Sequence, residues 1–177
     1  MPPAATTPPA TRPARRTAVR RRLPAAAAAE EGAIVVRAVR RADLEQIVAI
    51  DRSVTGIEKA SYWSAVYRRY GMAGRGEQKF LVALAQGRVV GYVIGEVRDW
   101  EFGSPPCGWV FAISVDPEVR LAGIGTKLLE TISASFRRAG VTKLRTLLAR
   151  DNTLILSFFR SQGLMAGPLM SLERDLV

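Results

Sequence analysis

The chain has 177 residues, 48% of them hydrophobic and 24% charged, with a formal net charge of +10; this length and composition suit one globular domain with a substantial core. It contains no histidine, and Cys107 is its one cysteine, which excludes a His/Cys metal site, a Ser-His-Asp triad, a Cys-His pair and an internal disulfide. Any chemistry has to run on other groups, and no metal is expected.

Along the chain the charge is uneven. Residues 1–29 carry Arg12, Arg15, Arg16, Arg20, Arg21 and Arg22 and no acid, hence +6 of the +10, and leave a mildly basic body. This stretch is rich in Pro and Ala and buries too little apolar surface to offset its ordering entropy, so a disordered extension is expected there. No aromatic residue interleaves with the arginines before Tyr62, and a nucleic-acid partner is not expected. Ala25 to Ala29 is too short and weakly apolar for the core of a signal peptide, prolines spoil the amphipathic helix of a transit peptide, and no segment is apolar enough to span a membrane. A solvated extension, or a start codon placed too early, on a cytoplasmic protein is the expectation.

From Ala33 the elements alternate. Ile34-Val35-Val36 reads as a short strand, and Asp43 to Ser53 as an amphipathic helix with Leu44, Ile47 and Val48 on one face. Ser61 to Tyr70 is a second helix, whose Trp63, Val66, Tyr67 and Tyr70 at helical spacing are expected in the core. Residues 79–98 read as a hairpin about Gln86-Gly87-Arg88, because Phe80, Val82 and Leu84 alternate before the turn and Val89, Tyr92 and Ile94 return after it. A strand over Trp109 to Val115 stops at Asp116-Pro117, and a helix over Thr126 to Ala139 stops at Gly140. Lys143 to Ala149 reads as a strand, Thr153 to Gln162 as a short helix, and Met170 to Asp175 as a final strand.

The junction Arg120-Leu121-Ala122-Gly123-Ile124-Gly125 carries the most information. A strand that hands over to a glycine-interrupted helix start leaves backbone N–H groups unpaired around one spot, which suits a pyrophosphate. The glycines are expected to let the backbone approach phosphate oxygens, and Arg120 adds a charge at the rim. A Walker loop is excluded because Thr126 separates Gly125 from Lys127, and a dinucleotide fingerprint because Leu128 stands where a third glycine is needed.

R-x-x-G-x-G after a strand ending Val115-Asp116-Pro117 resembles the acyl-CoA signature of the GNAT superfamily of N-acetyltransferases. Asn152 followed by Leu154-Ile-Leu-Ser-Phe-Phe159-Arg-Ser-Gln-Gly163-Leu164 is similar to the same family's Asn, short helix, aromatic, Gly ending. The resemblance spans residues 33–177 and implies an α/β (α+β) fold: a mixed twisted sheet of about six to seven strands, helices on both faces, and a splay between the strand ending near Val115 and the one starting near Lys143. Pantetheine would lie in that splay. The resemblance further implies acetyl-CoA as co-substrate, held by the backbone of Ile113, Ser114 and Val115 and by Arg120, Leu121, Ala122, Gly123, Ile124, Gly125 and Thr126, with Asn152 and Phe159 lining its path. The Val115 N–H would polarise the thioester carbonyl, and an amine would attack directly in a ternary complex.

Here the chain departs from its family. Trp109 and Leu147 occupy positions where other members place a glutamate base, and Phe159 stands where many carry a tyrosine acid. Of the remaining carboxylates, Glu96 is the preferred base, acting through one water, ahead of Asp99 and Glu101. Cys107 is not expected to act as a covalent relay. The acceptor is an amine; Asp51-Arg52-Ser-Val-Thr55-Gly56 followed by Tyr62-Trp63 is similar to single-domain prokaryotic members that acetylate protein lysines, which tilts the reading toward a protein lysine. A small-molecule amine is the close alternative, and an acyl-CoA-binding regulatory module with little catalysis is the alternative outside the enzyme class. A homodimer is left open as the assembly.

Overall fold

Asp43 decides where the first helix begins. In the computed structural model, which describes residues 33–72, 77–119 and 123–176, this 5%-exposed carboxylate accepts the Arg40 N–H at 2.6 Å and both terminal nitrogens of Arg37 at 2.7 and 2.8 Å. Strand β1 (Val35–Ala38) is thereby clamped to helix α1 (Leu44–Thr55), which ends on Gly56 in the left-handed region. Helix α2 (Ala60–Val66) follows and runs on as a π-turn over Tyr67–Gly71. The corner between α1 and α2 is closed by Asp51, 6% exposed, which accepts from Trp63 Nε1 at 2.9 Å and pairs with Lys59 at 2.9 Å. A carboxylate so buried persists because both partners satisfy it.

Strands β2 (Gln78–Ala85) and β3 (Arg88–Arg98) form the expected hairpin, closed by Gln86 and Gly87 at φ 51° and 80°. That is the twist a two-residue hairpin turn requires. After an extended loop come β4 (Cys107–Val115), α3 (Ile124–Arg138), β5 (Leu144–Arg145) and α4 (Thr153–Ser161). Both later helices end alike. The Gly140 N–H returns to Arg137 O and the Val141 N–H to Phe136 O; the Gly163 N–H returns to Arg160 O and the Leu164 N–H to Phe159 O. These are Schellman ends, each with its apolar pair, Val141 with Phe136 and Leu164 with Phe159, packed into the same core.

The sheet order is β1-β2-β3-β4-β5, antiparallel through β4 and parallel between β4 and β5. Alternation along β3 divides the interior: Tyr92 and Ile94 pack under α1 and α2 with Ile47, Trp63 and Phe80, while Val93 packs under α3 and α4 with Leu128, Ile132, Phe136 and Phe159, joined there by Val90, the extra residue of a bulge opposite Ala83 and Leu84. Helices therefore cover both faces, as the α+β reading requires.

The strand count is the main correction. Five strands form among the described residues, not six to seven. The run expected from Lys143 to Ala149 pairs with β4 only at Leu144 and Arg145, and Met170 to Asp175 joins no ladder. Strand β4 starts earlier than expected, at Cys107, and α3 at Ile124. No described helix is long and apolar enough to cross a membrane. The arginine-rich extension of residues 1–29 lies outside the described residues.

Candidate active site

Strand β4 has a partner on both edges only at its beginning. Gly108 and Trp109 pair with β5, and beyond them β4 continues to Val115 with β3 alone. This is the expected splay. Asp116 N–H donates to Val90 O at 2.9 Å, so by the alternation of an antiparallel ladder the main chains of Ser114 and Ala112 turn toward β3, and those of Ile113 and Val115 turn toward the gap. Of the three residues expected to offer backbone groups, Ile113 and Val115 present theirs to the opening. Ser114 presents its main chain to β3, and its side chain meets the buried Tyr92 phenol.

At the end of β4, Asp116 shapes the exit: it pairs with Arg88 at 3.2 Å and accepts the Glu118 N–H at 3.1 Å. Arg120, Leu121 and Ala122 lie outside the described residues. Gly123 then caps α3 at φ 73°, with no side chain capping the helix and no acid in its first turn. The first intrahelical bond is Lys127 N–H to Gly123 O, which leaves the N–H groups of Ile124, Gly125 and Thr126 without intrahelical acceptors at the positive end of a 15-residue helix.

Each glycine also has a local structural reason. A Cβ on Gly123 would meet nothing within 4 Å, so it is the left-handed backbone there that calls for glycine. On Gly125 a Cβ would stand 3.1 Å from the Phe158 ring and 3.8 Å from the Val115 side chain. Close packing of α3, α4 and the end of β4 sets that position.

Phe158 is thus the aromatic ring beside Gly125. Phe159 is 3% exposed and packed in the core, because consecutive helical residues lie about 100° apart and the two rings serve different faces. Asn152 caps α4, its Oδ1 accepting the Ile155 N–H at 3.2 Å. Sequence reasoning had no signal for Phe158 beyond its place in an aromatic pair.

On the opposite face of the sheet stands Glu96 of β3, 8% exposed, beside its register partner Trp109 of β4. Its Oε1 takes the Arg98 Nε–H at 3.0 Å, and the Tyr70 phenol lies near enough to feel its charge. Burial first, and then the charge of Glu96, hold the Tyr70 phenol above its ordinary range, so it remains a neutral donor. Tyr70 also packs its ring 4.9 Å from that of Phe111. Phe111 is the extra residue of a bulge, since Ile94 faces Ala112 and Gly95 faces Val110. The bulge bends β4 beside the gap. Core packing was the favoured expectation for Tyr70, and Arg98 was not singled out.

Asp99 and Glu101 are exposed, Glu101 pairing with Arg98 at 3.5 Å. Leu147 is 69% exposed and Trp109 6%. Cys107 is a buried free thiol. Among the described residues no group of three or more acidic or cysteine side chains converges as a metal-ligating set.

A family model described as Acetyltransferase (GNAT) family matches residues 44–164. The L-2,4-diaminobutyric acid acetyltransferase of Nocardia farcinica is 35% identical over 79 residues, which is 45% of this chain and 39% of that relative's length. The structure is similar to an aminoglycoside N-acetyltransferase, AAC(6')-Iy, in complex with CoA, with a TM-score of 0.72 and 17% identity over 83% of this chain and 97% of that one. It is also similar to the aminoglycoside 6'-N-acetyltransferase AAC(6')-Ih from Acinetobacter baumannii, with a TM-score of 0.68 and 15% identity over 82% and 100% of the two chains. At those identities the structural likenesses speak for a shared fold.

Proposed function

This chain belongs to the acetyltransferase (GNAT) family, and we propose from that premise that it transfers an acetyl group from acetyl-CoA to a small amine. The observation that carries the reading is the open β4 edge ending beside the uncapped start of α3. Peptide groups of Ile113 and Val115 face a slot, and the N–H groups of Ile124, Gly125 and Thr126 stand a few residues away at an electropositive terminus. A pantetheine arm and a pyrophosphate need those two kinds of site in that order, and the open space at Gly123 leaves room for the phosphates.

Acetyl-CoA, when bound, supplies an activated thioester. The Val115 N–H offers a donor to the oxygen that gains charge as the amine nitrogen attacks. Glu96 takes the proton that the attacking nitrogen sheds, through a water, from its place beside Tyr70 and Arg98. The C–S bond breaks as the C–N bond forms, and the sulfur is protonated from solvent, because Phe159 has no proton to give. A neutral amine is the main requirement: for a group of pKa about 10.4, ionisation at pH 7 costs about 4–5 kcal/mol.

The acceptor is read as a small amine, in line with the diaminobutyrate and aminoglycoside enzymes it resembles. The residues behind a protein-lysine reading, Asp51 and Trp63, bond to each other inside the α1–α2 corner, so they supply no argument for that acceptor. Thiol release from acetyl-CoA, measured with a panel of diamines, amino acids, aminoglycosides and lysine peptides, tests the proposal. Turnover on at least one small amine is expected; saturable acetyl-CoA binding with none would turn the reading to a binding module.

A further inference from the structure

Across β4 and β5 from Glu96, two donors have no acceptor among the described residues. Trp109 Nε1 and Arg145 Nη1 are buried without a hydrogen-bond partner, where folded proteins pair nearly all such groups. The two residues are register partners across β4 and β5, so their side chains leave the same face of the sheet as neighbours. Both line one groove of about 710 Å³, whose wall also contains Arg137, Lys143 and Arg160 and no carboxylate. Arg145 is held in place from its other side, its Nη2 donating to Ser104 Oγ at 3.1 Å. Arg98 lies 5.2 Å over the Trp109 ring while bonded to Glu96, which puts the indole between the proposed base and the groove.

We propose that Trp109 and Arg145 form a carboxylate subsite, so that the acceptor is an amine that also carries a carboxylate, such as an amino acid with a side-chain amine. The inference rests on the acetyl-transfer reading above. One indole N–H and one free guanidinium N–H match the two oxygens of a carboxylate, and the guanidinium contributes the charge. Fixing the carboxylate there leaves the amine end to lie toward Glu96. A groove with four cations and no acid also repels polycationic amines, which separates this acceptor class from polyamines and aminoglycosides.

The test uses the full chain with CoA present and matched pairs that differ only in the carboxylate: L-2,4-diaminobutyrate against 1,3-diaminopropane, L-lysine against cadaverine, 4-aminobutyrate against propylamine. Binding is read by calorimetry with CoA, and turnover by thiol release with acetyl-CoA in place of CoA. In at least one pair the carboxylate-bearing amine is expected to bind about ten- to a hundredfold tighter. Trp109→Phe and Arg145→Gln should each shrink that preference, with acetyl-CoA affinity unchanged. No preference in any pair, or a preference that both variants retain, overturns the subsite. Loss of acetyl-CoA affinity in Arg145→Gln would assign the donors to the coenzyme's phosphates and overturn it as well. A carboxylate preference in binding without turnover would support the subsite while counting against acetyl transfer.

Discussion

Asp43 shows how a single carboxylate can tie two elements and also set a pH limit. Burial pushes its carboxyl up, but the Arg37 guanidinium and the Arg40 N–H more than compensate, and it titrates below the usual carboxylate range. A depressed folded value stabilises the protein above the unfolded pKa of about 3.9, and that contribution is lost as pH falls through the folded value. Asp43→Asn is therefore expected to lower unfolding free energy by about 2–3 kcal/mol at neutral pH. Urea titrations should show the gap to the native chain closing below about pH 4; a gap that stays constant with pH would deny the charge its role. Glu96 presents the chemical counterpart. If it removes the amine proton, Glu96→Gln should lower kcat by about a hundredfold with the KM for acetyl-CoA unchanged. Unaltered turnover would leave Glu96 as an internal partner of Arg98 and Tyr70.

At the scale of elements, α4 joins structure to the site. Asn152 is matched by position to a coenzyme contact, yet its visible bond is to the Ile155 N–H as a helix cap. Substitutions separate the two roles. Asn152→Ala should cost about 1 kcal/mol of stability through the lost cap, whereas Asn152→Asp keeps the cap and adds a negative charge. If Asn152 also meets coenzyme phosphates, the Asn152→Asp variant should bind acetyl-CoA more weakly in a calorimetric titration while its stability stays near that of the native chain. Such elements were legible in the sequence to the extent that their signals are local. The hairpin's alternation, the four-residue apolar steps of α3 and the glycines ending α3 and α4 all describe a segment's own conformation, and the structure contains each of them. What depends on a partner was not legible. The bulge at Phe111 is a property of the β3–β4 register, and β5 shrinks to two residues because alternation specifies a face, never a neighbouring strand. In the same way, the choice of Phe158 over Phe159 beside Gly125 depends on how α4 is rotated against α3.

Within the described domain, one sheet carries two cores, and the proposed coenzyme site sits on the seam of the α3–α4 side, where the end of β4, the start of α3 and α4 meet at Gly125. Ligand binding at such a seam should stabilise the whole fold, since only the folded chain brings these backbone groups together. At a hundredfold excess over its Kd, acetyl-CoA would add about 2.7 kcal/mol, equivalent to a rise in Tm of roughly 5–10 °C for a domain of this size. Two substitutions, one within α3 and one at its cap, should divide the effect. Phe136→Ala empties a core position that is 2% exposed and should lower the unliganded Tm steeply, by about 3–5 kcal/mol of stability, yet retain the acetyl-CoA shift. Gly123→Glu places a Cβ in left-handed backbone, costing about 1–2 kcal/mol, and sets a negative charge where the phosphates would lie; it should abolish the shift at any acetyl-CoA concentration tried. Thermal unfolding of the three proteins with and without acetyl-CoA reads both quantities. A Gly123→Glu protein that still gains roughly 5–10 °C on the same estimate would remove the helix start from the coenzyme site, because the charge would then face no phosphate.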